Sequence, residues 1–205
     1  ASRAEEDEDG TCHYRDVIGP DEYHEHVDDN AYTNALARWN IRMGIDLLTE
    51  LRRDHPARAA ELAAALDLTE SRLEHWRRVA DGIVVPVRPD GVIPQFEGFL
   101  DLEDVDLASL EPRSISLHAL FGLEGANRRQ GLKQPDVLMM MLLLEDDFSD
   151  EERRANYAYY TPRTDHTYGS SLGPAMQAII AARRGLAADA VEHFQRAAFG
   201  DLQDL

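Results

Sequence analysis

The sequence has one cysteine in 205 residues, Cys12, so no intramolecular disulfide braces it. That fits a reducing compartment, and a cytoplasmic location is expected, although an extracellular chain that needs no staples has the same composition. Long apolar runs are also missing. The longest, Val137 to Leu144, is far short of the ~20 residues of a membrane-spanning helix. The charged start "ASRAEEDEDG" lacks the apolar core of a signal peptide. Positive charge is scarce: 21 Lys and Arg stand against 39 Asp and Glu, for a formal net charge of -18. Apart from "AEEDEDG" at 4–10, the carboxylates are spread along the chain as a solvated acidic surface. No nucleic acid or membrane partner is expected, because phosphate backbones and anionic headgroups demand clustered positive charge.

What is present is apolar content of 43%, enough for a packed core at this length. The chain starts on Ala rather than Met and stops on "AAFGDLQDL", so both ends are expected to lie inside a longer polypeptide. After "VDDN", Leu36, Trp39, Met43, Leu47 and Leu51 recur at three and four, one face of a helix with Asp29 or Asn30 as N-cap. Further helices are predicted at "ARAAELAAALDL" and at "TESRLEHW", the latter capped by Thr69. Between Ile83 and Phe99, β-branched residues broken by three Pro and the Asp90-Gly91 turn pair predict a short β-hairpin or paired extended segments. Helices resume at "SISLHALFGLEG" and at "QPDVLMMMLLLEDDF", which is apolar on every face and should be buried all round. "SDEERRANYAYY" starts with a Ser149/Glu152 capping box. "GPAMQAIIAARRG" and "LAADAVEHFQRAAF" follow as amphipathic helices with Gly185 between them. The fold class is all-α: seven or eight helices as an array of helical hairpins, whose polar loops build a site.

Three loops hold unusual residues. In "GPDEYHEHVDDNAYTN", Asp28 and Asp29 read as solvated carboxylates at a helix N-terminus. His24, Glu25, His26 and Asp28 lack HExxH spacing and a Cys partner, so no metal is expected. Glu22, between Pro20 and Tyr23, is expected to be buried beside aromatic rings and kept protonated as an acid. Lys133 and Gln134 precede the most buried helix, either in an ordinary loop or as donors and an acceptor for sugar hydroxyls. In "TPRTDHTYGSSLGP", one of Ser170 and Ser171 is a plain N-cap. Alternatively, both hydroxyls with nearby Arg163 and His166 make an anion site suited to phosphate.

Taken in order, "GPDEYHEHVDDNAYTNALARWN", "IPQFEGF", "KQPDVL", "DDFSDEERRANYAYYTPRT" and "GSSLGPAMQAIIAARRG" resemble successive landmarks of glycoside hydrolase family 65 across nearly the whole chain. The family comprises inverting phosphorylases of maltose, trehalose, kojibiose and nigerose, with a few hydrolases. The resemblance implies that residues 1–205 are about half of an (α/α)6 barrel of helical hairpins. The family's upstream Trp-Asp pair and N-terminal β-sandwich have no counterpart here. It further implies that Glu22 is the general acid and that Lys133 and Gln134 hold the glucosyl unit. Tyr23 and His24 would line or orient the sugar pocket, and Ser170 and Ser171, with His166 near them, would bind phosphate. The reaction implied is phosphorolysis of an α-glucosidic disaccharide to β-glucose 1-phosphate and glucose, with inorganic phosphate as co-substrate and no other cofactor.

Two departures bear on the nucleophile. Thr167 and Tyr168 separate His166 from Gly169 where the family is expected to carry a His directly before the Gly-Ser-Ser, and Gly173 stands in a position usually held by Ser. Such a loop could serve water instead, with Asp165 as the nearest base and Glu97 a remoter one. A third reading is a non-catalytic helical module, for which Glu22, Lys133, Gln134 and Ser170 would be scattered over ~30 Å. The isolated chain is expected to expose apolar surface and to be inactive alone. An isologous homodimer of the full-length protein would be unsurprising.

Overall fold

The computed structural model describes residues 1–85, 87–200 and 202. Among these the chain forms eight α-helical segments, α1 Ala31–Asp54, α2 Pro56–Ala65, α3 Glu70–Gly82, α4 Leu117–Asn127 (broken by a kink at Gly122, φ 70°), α5 Asp136–Leu143, α6 Asp150–Tyr160, α7 Leu172–Arg183 and α8 Ala187–Phe199. The predicted helix starts follow from capping chemistry. Asn30, Thr69 and Ser116 each accept an N–H of the first turn, and Ser149 and Glu152 close a reciprocal capping box.

The helices pack in two rows. Helices α1, α5 and α7 are neighbours, while α3, α6 and α8 pack respectively against them, so three pairs stand side by side as part of an (α/α) barrel. The row α1–α5–α7 fixes the position of the site. Its helices begin just after residues 19–30, 131–135 and 165–171, the three loops singled out above. The core joins Ile93, Phe96 and Phe99 to Leu132, Val137, Met140 and Tyr160. Helix α5 is buried continuously from Asp136 to Met141, as its all-round apolarity requires, and emerges only at Leu143.

Two expectations are corrected. The two-stranded hairpin exists, but it pairs β1 Glu5–Glu6 with β2 Cys12–His13. In 83–99, Pro86 lies outside the described residues, and the remainder forms no ladder of its own. Ile83 makes a single bridge to Cys12, and Arg88 N–H bonds to Val92 O. Proline has no N–H to give a ladder, and the segment is satisfied otherwise. Ile93 N–H donates to Asn156, Tyr160 O–H donates to Ile93 O, and Gln95 O accepts from the first amide of α1.

The second correction concerns α1. The predicted apolar face is largely exposed, with Trp39, Met43 and Leu47 at 42%, 37% and 56%, while Asn34, Ala35, Ile41 and Leu48 are buried. Helix α1 has two apolar faces, and only the less conspicuous one is covered by residues 1–205. Val191 and Phe194 of α8 are likewise exposed, in keeping with the apolar exposure expected of this chain.

Candidate active site

Pro20 opens a turn that sends Asp21 and Tyr23 inward and Glu22 outward. The expected burial of Glu22 is therefore not found: its side chain is 59% exposed. Its Oε2 pairs with the ammonium of Lys133, the single lysine of the sequence. That hydrogen bond first, and the positive charge second, hold the Glu22 carboxyl below the usual carboxylate range rather than above it. The neighbouring Gln134 amide donates to Pro20 O. The first two loops are thus tied together by side chains more than 100 positions apart.

Beneath this pair lies a buried polar hub, Asp21. Its Oδ1 accepts the backbone N–H of Lys133 at 2.8 Å and of Tyr23 at 3.4 Å. Its Oδ2 faces His24 Nδ1 at 2.7 Å and accepts from Gln95 Nε2 at 2.8 Å. Its own N–H donates at 2.7 Å to Asp136, the first residue of α5, whose other oxygen accepts from Asn30. Burial, then the nearness of Asp21, pushes the Asp136 carboxyl well above the usual range. Gly19 abuts these groups so closely that a Cβ there would collide with Asp136 Oδ2 and Asn30 Nδ2.

His24 and Tyr23, expected to line or orient the sugar pocket, are both buried in the interior, at 1% and 2% exposure. His24 packs on Phe96 and Phe99 and has its Nε2 against Arg129 O at 2.7 Å. The Tyr23 ring lies tilted against His118, with centroids 4.5 Å apart, and its hydroxyl donates to Asp165 at 3.1 Å; burial, then that carboxylate, raises the phenol. His26 points away from His24 and pairs with Asp16 in solvent. Asp28 is solvated in part, but Asp29 is not: its left-handed backbone, φ 51°, turns the side chain in, where it binds His13, Tyr14 N–H and Asn34.

The third loop joins the other two through backbone. Leu132 N–H donates to Arg163 O, and Asp165 N–H donates to Leu132 O. Gly169 then passes so near that a Cβ would strike the carbonyls of both Asp165 and Lys133. Asp165 is fully engaged. Arg113 grips both its oxygens, at 2.5 and 2.9 Å, and Tyr23 O–H and the N–H groups of Thr167 and Tyr168 complete its shell. Burial raises this carboxyl, but Arg113 and the loop amides outweigh that and leave it below the usual range. The Tyr168 ring lies 5.5 Å from the Arg113 guanidinium, and its hydroxyl donates to Arg113 O. Arg113 was invisible in the sequence, where "EPRSIS" carries no local pattern. Asp136 had a usable signal, an acid at the head of a helix apolar on every face.

Residues 166–171 with Pro174, Arg196 and Gly200 line an open cavity of about 500 Å³. Ser170 Oγ accepts Leu172 N–H as a cap, while Ser171 makes no capping bond and is exposed. His166 does not present a cation here. Its Nε2 faces Thr161 O, its ring lies 5.0 Å from His193, and burial, then that neighbour, lowers its pKa to about 4. Against an ordinary value of 6.5, the sign is clear. The unfolded chain takes up a proton that the folded state refuses, so this contribution is complete above about pH 6.5 and is lost as pH falls toward about 4. Thermal midpoints at pH 7 and pH 5 should therefore differ less in His166→Gln than in the parent protein. An equal difference would contradict the burial of a neutral ring.

The described site residues are gathered, not scattered: Glu22 touches Lys133, Gln134 touches the turn before Glu22, and the Gly169 loop leans on Lys133. A family model described as "Glycosyl hydrolase family 65 central catalytic domain" matches residues 1–205. A kojibiose phosphorylase of Thermoanaerobacter brockii is 40% identical over 190 residues, covering 92% of this chain and 24% of its own length. An α,α-trehalose phosphorylase of the same organism is 34% identical, with the same coverage of each chain. A solved structure described as "Putative kojibiose phosphorylase from human microbiome" superimposes with a TM-score of 0.86 at 30% identity, covering 99% of this chain and 28% of that one. The chain thus spans about a quarter of the length of the relatives it matches.

Proposed function

Because the chain belongs to glycosyl hydrolase family 65, we propose that residues 1–205 carry the proton donor, the sugar-holding loop and the phosphate loop of an inverting disaccharide phosphorylase. The observation that supports it most is the Glu22–Lys133 pair, with Gly169 packed against the Lys133 backbone. In this reading an α-linked glucosyl unit enters above the pair, and Lys133 turns its ammonium to the sugar hydroxyls. Glu22 then loses its cation, its proton affinity rises, and it protonates the glycosidic oxygen as the bond to the anomeric carbon breaks. A phosphate oxygen attacks that carbon from the opposite face, giving β-glucose 1-phosphate and glucose; the proton carried by phosphate returns Glu22 to its acid form by way of solvent.

Phosphate is favoured over water by the state of Asp165. A water-using inverting enzyme needs a second carboxylate ~6.5–9.5 Å from the acid and free to accept a proton. Asp165 has its oxygens committed to Arg113, Tyr23 and two backbone amides. Ser170, Ser171 and the α7 N-terminus, with Arg196 in the lining of the same cavity, are the groups proposed to hold phosphate; His166 would act there as a neutral wall. The full-length polypeptide, given kojibiose, trehalose, maltose or nigerose, should release β-glucose 1-phosphate only when phosphate is supplied. Release of glucose alone, at a rate indifferent to phosphate, would decide for hydrolysis.

A further inference from the structure

Asp21 stands between the two residues on which the proposed chemistry depends, and nothing in that chemistry uses it. It is 1% exposed, so no substrate reaches it. It is covalently next to Glu22, and its Oδ1 holds the backbone N–H of Lys133 112 positions away. Its Oδ2 is held in turn by Gln95 and His24, and Gln95 Oε1 accepts the N–H of Asp136 at 3.2 Å. The arrangement fixes donors and acceptors in one sense: two amide N–H groups, one carboxamide NH2 and the His24 Nδ1 all face the Asp21 carboxylate.

We propose that Asp21 is a positioning residue, which sets the Glu22 turn against the Lys133 loop by accepting hydrogen bonds from both sides of the site. The proposal rests on the reading of Glu22 as proton donor, but not on whether phosphate or water attacks. A displacement of about 1 Å between reacting groups costs on the order of 10²-fold in rate, which sets the expected effect. Exchange of Asp21 for Asn keeps the size and one acceptor oxygen but turns an NH2 toward the NH2 of Gln95. Exchange of Gln95 for Glu in the same protein restores an acceptor opposite that NH2 and keeps one for Asp136 N–H. At His24, whose Nε2 faces Arg129 O, Nδ1 must then change from donor toward the Asp21 carboxylate to acceptor from Asn, which a neutral imidazole allows.

The test uses the full-length enzyme and counts α-glucoside cleavage by glucose release, which both nucleophiles give. Asp21→Asn should lower kcat roughly 100-fold at temperatures well below its melting point, with a smaller change in KM. The alkaline limb of its kcat/KM profile should move to higher pH, because a Lys133 out of register no longer holds the Glu22 proton affinity down. Asp21→Asn/Gln95→Glu should recover at least ten-fold of the lost kcat, a non-additivity expected only of groups in direct contact. A single variant within three-fold of the parent in kcat overturns the proposal. So does a double variant no better than the single in both kcat and Tm, including the case in which neither folds. A folded, active double variant beside an unfolded single one supports it. If the parent enzyme cleaves no α-glucoside, the functional reading fails first, and the double variant's recovery of Tm still tests the donor–acceptor arrangement.

Discussion

Exchange of Glu22 for Gln in the full-length enzyme should lower disaccharide cleavage by about 10²–10⁴-fold, the usual contribution of a positioned general acid. Gln keeps the length of the side chain and can still meet Lys133 through its carbonyl, so the sugar-binding loops should stay in place and KM should change little. What is lost is a proton that can be given to a sugar alkoxide, a strongly basic leaving group. The loss should therefore hold at every pH rather than shift a limb of the profile. α-Glucosyl fluoride, whose leaving group needs little protonation, should retain much more of its rate in the variant than kojibiose or trehalose does. Equal losses on both substrates would mean that Glu22 positions the sugar and does not protonate it; unchanged cleavage would remove it from the chemistry altogether. The exposed, Lys133-paired state of Glu22 makes this a demanding test. An acid held as a carboxylate in the empty site must regain its proton as substrate engages Lys133.

The second large effect concerns stability. Arg113 and Asp165 form a bidentate pair whose side chains are 6% and 0% exposed. Removal of one partner leaves the other charge buried, at a cost of about 3–5 kcal/mol. Arg113→Ala should therefore move the urea midpoint sharply downward at an unchanged slope. It should also impair the catalytic loops, since Asp165 holds Tyr23 and the amides of Thr167 and Tyr168 together. Arg113→Met combined with Asp165→Leu removes both charges and keeps apolar bulk, so its midpoint should lie nearer the parent than that of Arg113→Ala. Its phosphate KM should nonetheless remain raised, because the loop amides lose their acceptor. A single Arg113→Ala variant with parental stability would mean that water or another cation already compensates Asp165.

Local chemistry made much of this molecule readable from residues alone. Asn30, Thr69 and the Ser149–Glu152 box mark helix starts because a cap satisfies amides within three residues of itself, and such short-range pairing leaves its trace in sequence. The unbroken apolarity of 137–144 announces a helix buried on every side, and α5 is so buried from Asp136 to Met141, with Leu143 exposed at its end. The distinctive loops "GPDEYH", "KQPDV" and "GSSLGP" announced the family. Their meeting at the heads of α1, α5 and α7 followed from the barrel that the family implies.

Only the tertiary structure decided which way those loops face. Periodicity in α1 marks two apolar faces, but burial depends on what lies opposite, and the face with Trp39 and Leu47 is the open one. Proximity to Pro20 and Tyr23 suggested a buried, protonated Glu22. The turn instead directs Asp21 inward and leaves Glu22 outside with Lys133. His166 reads as a cation for phosphate until α8 supplies His193 beside it and burial keeps it neutral. The groups bonded to the side chains of Asp21 and Asp165 lie 52 to 142 positions away in the chain, apart from near neighbours such as His24. Hydrogen bonds of that reach have no period and no fixed spacing. They exist only because the helix rows bring the three loops to one end, which is why the "GPDEYH" loop was legible in the sequence and the side chains that tie it to the other loops were not.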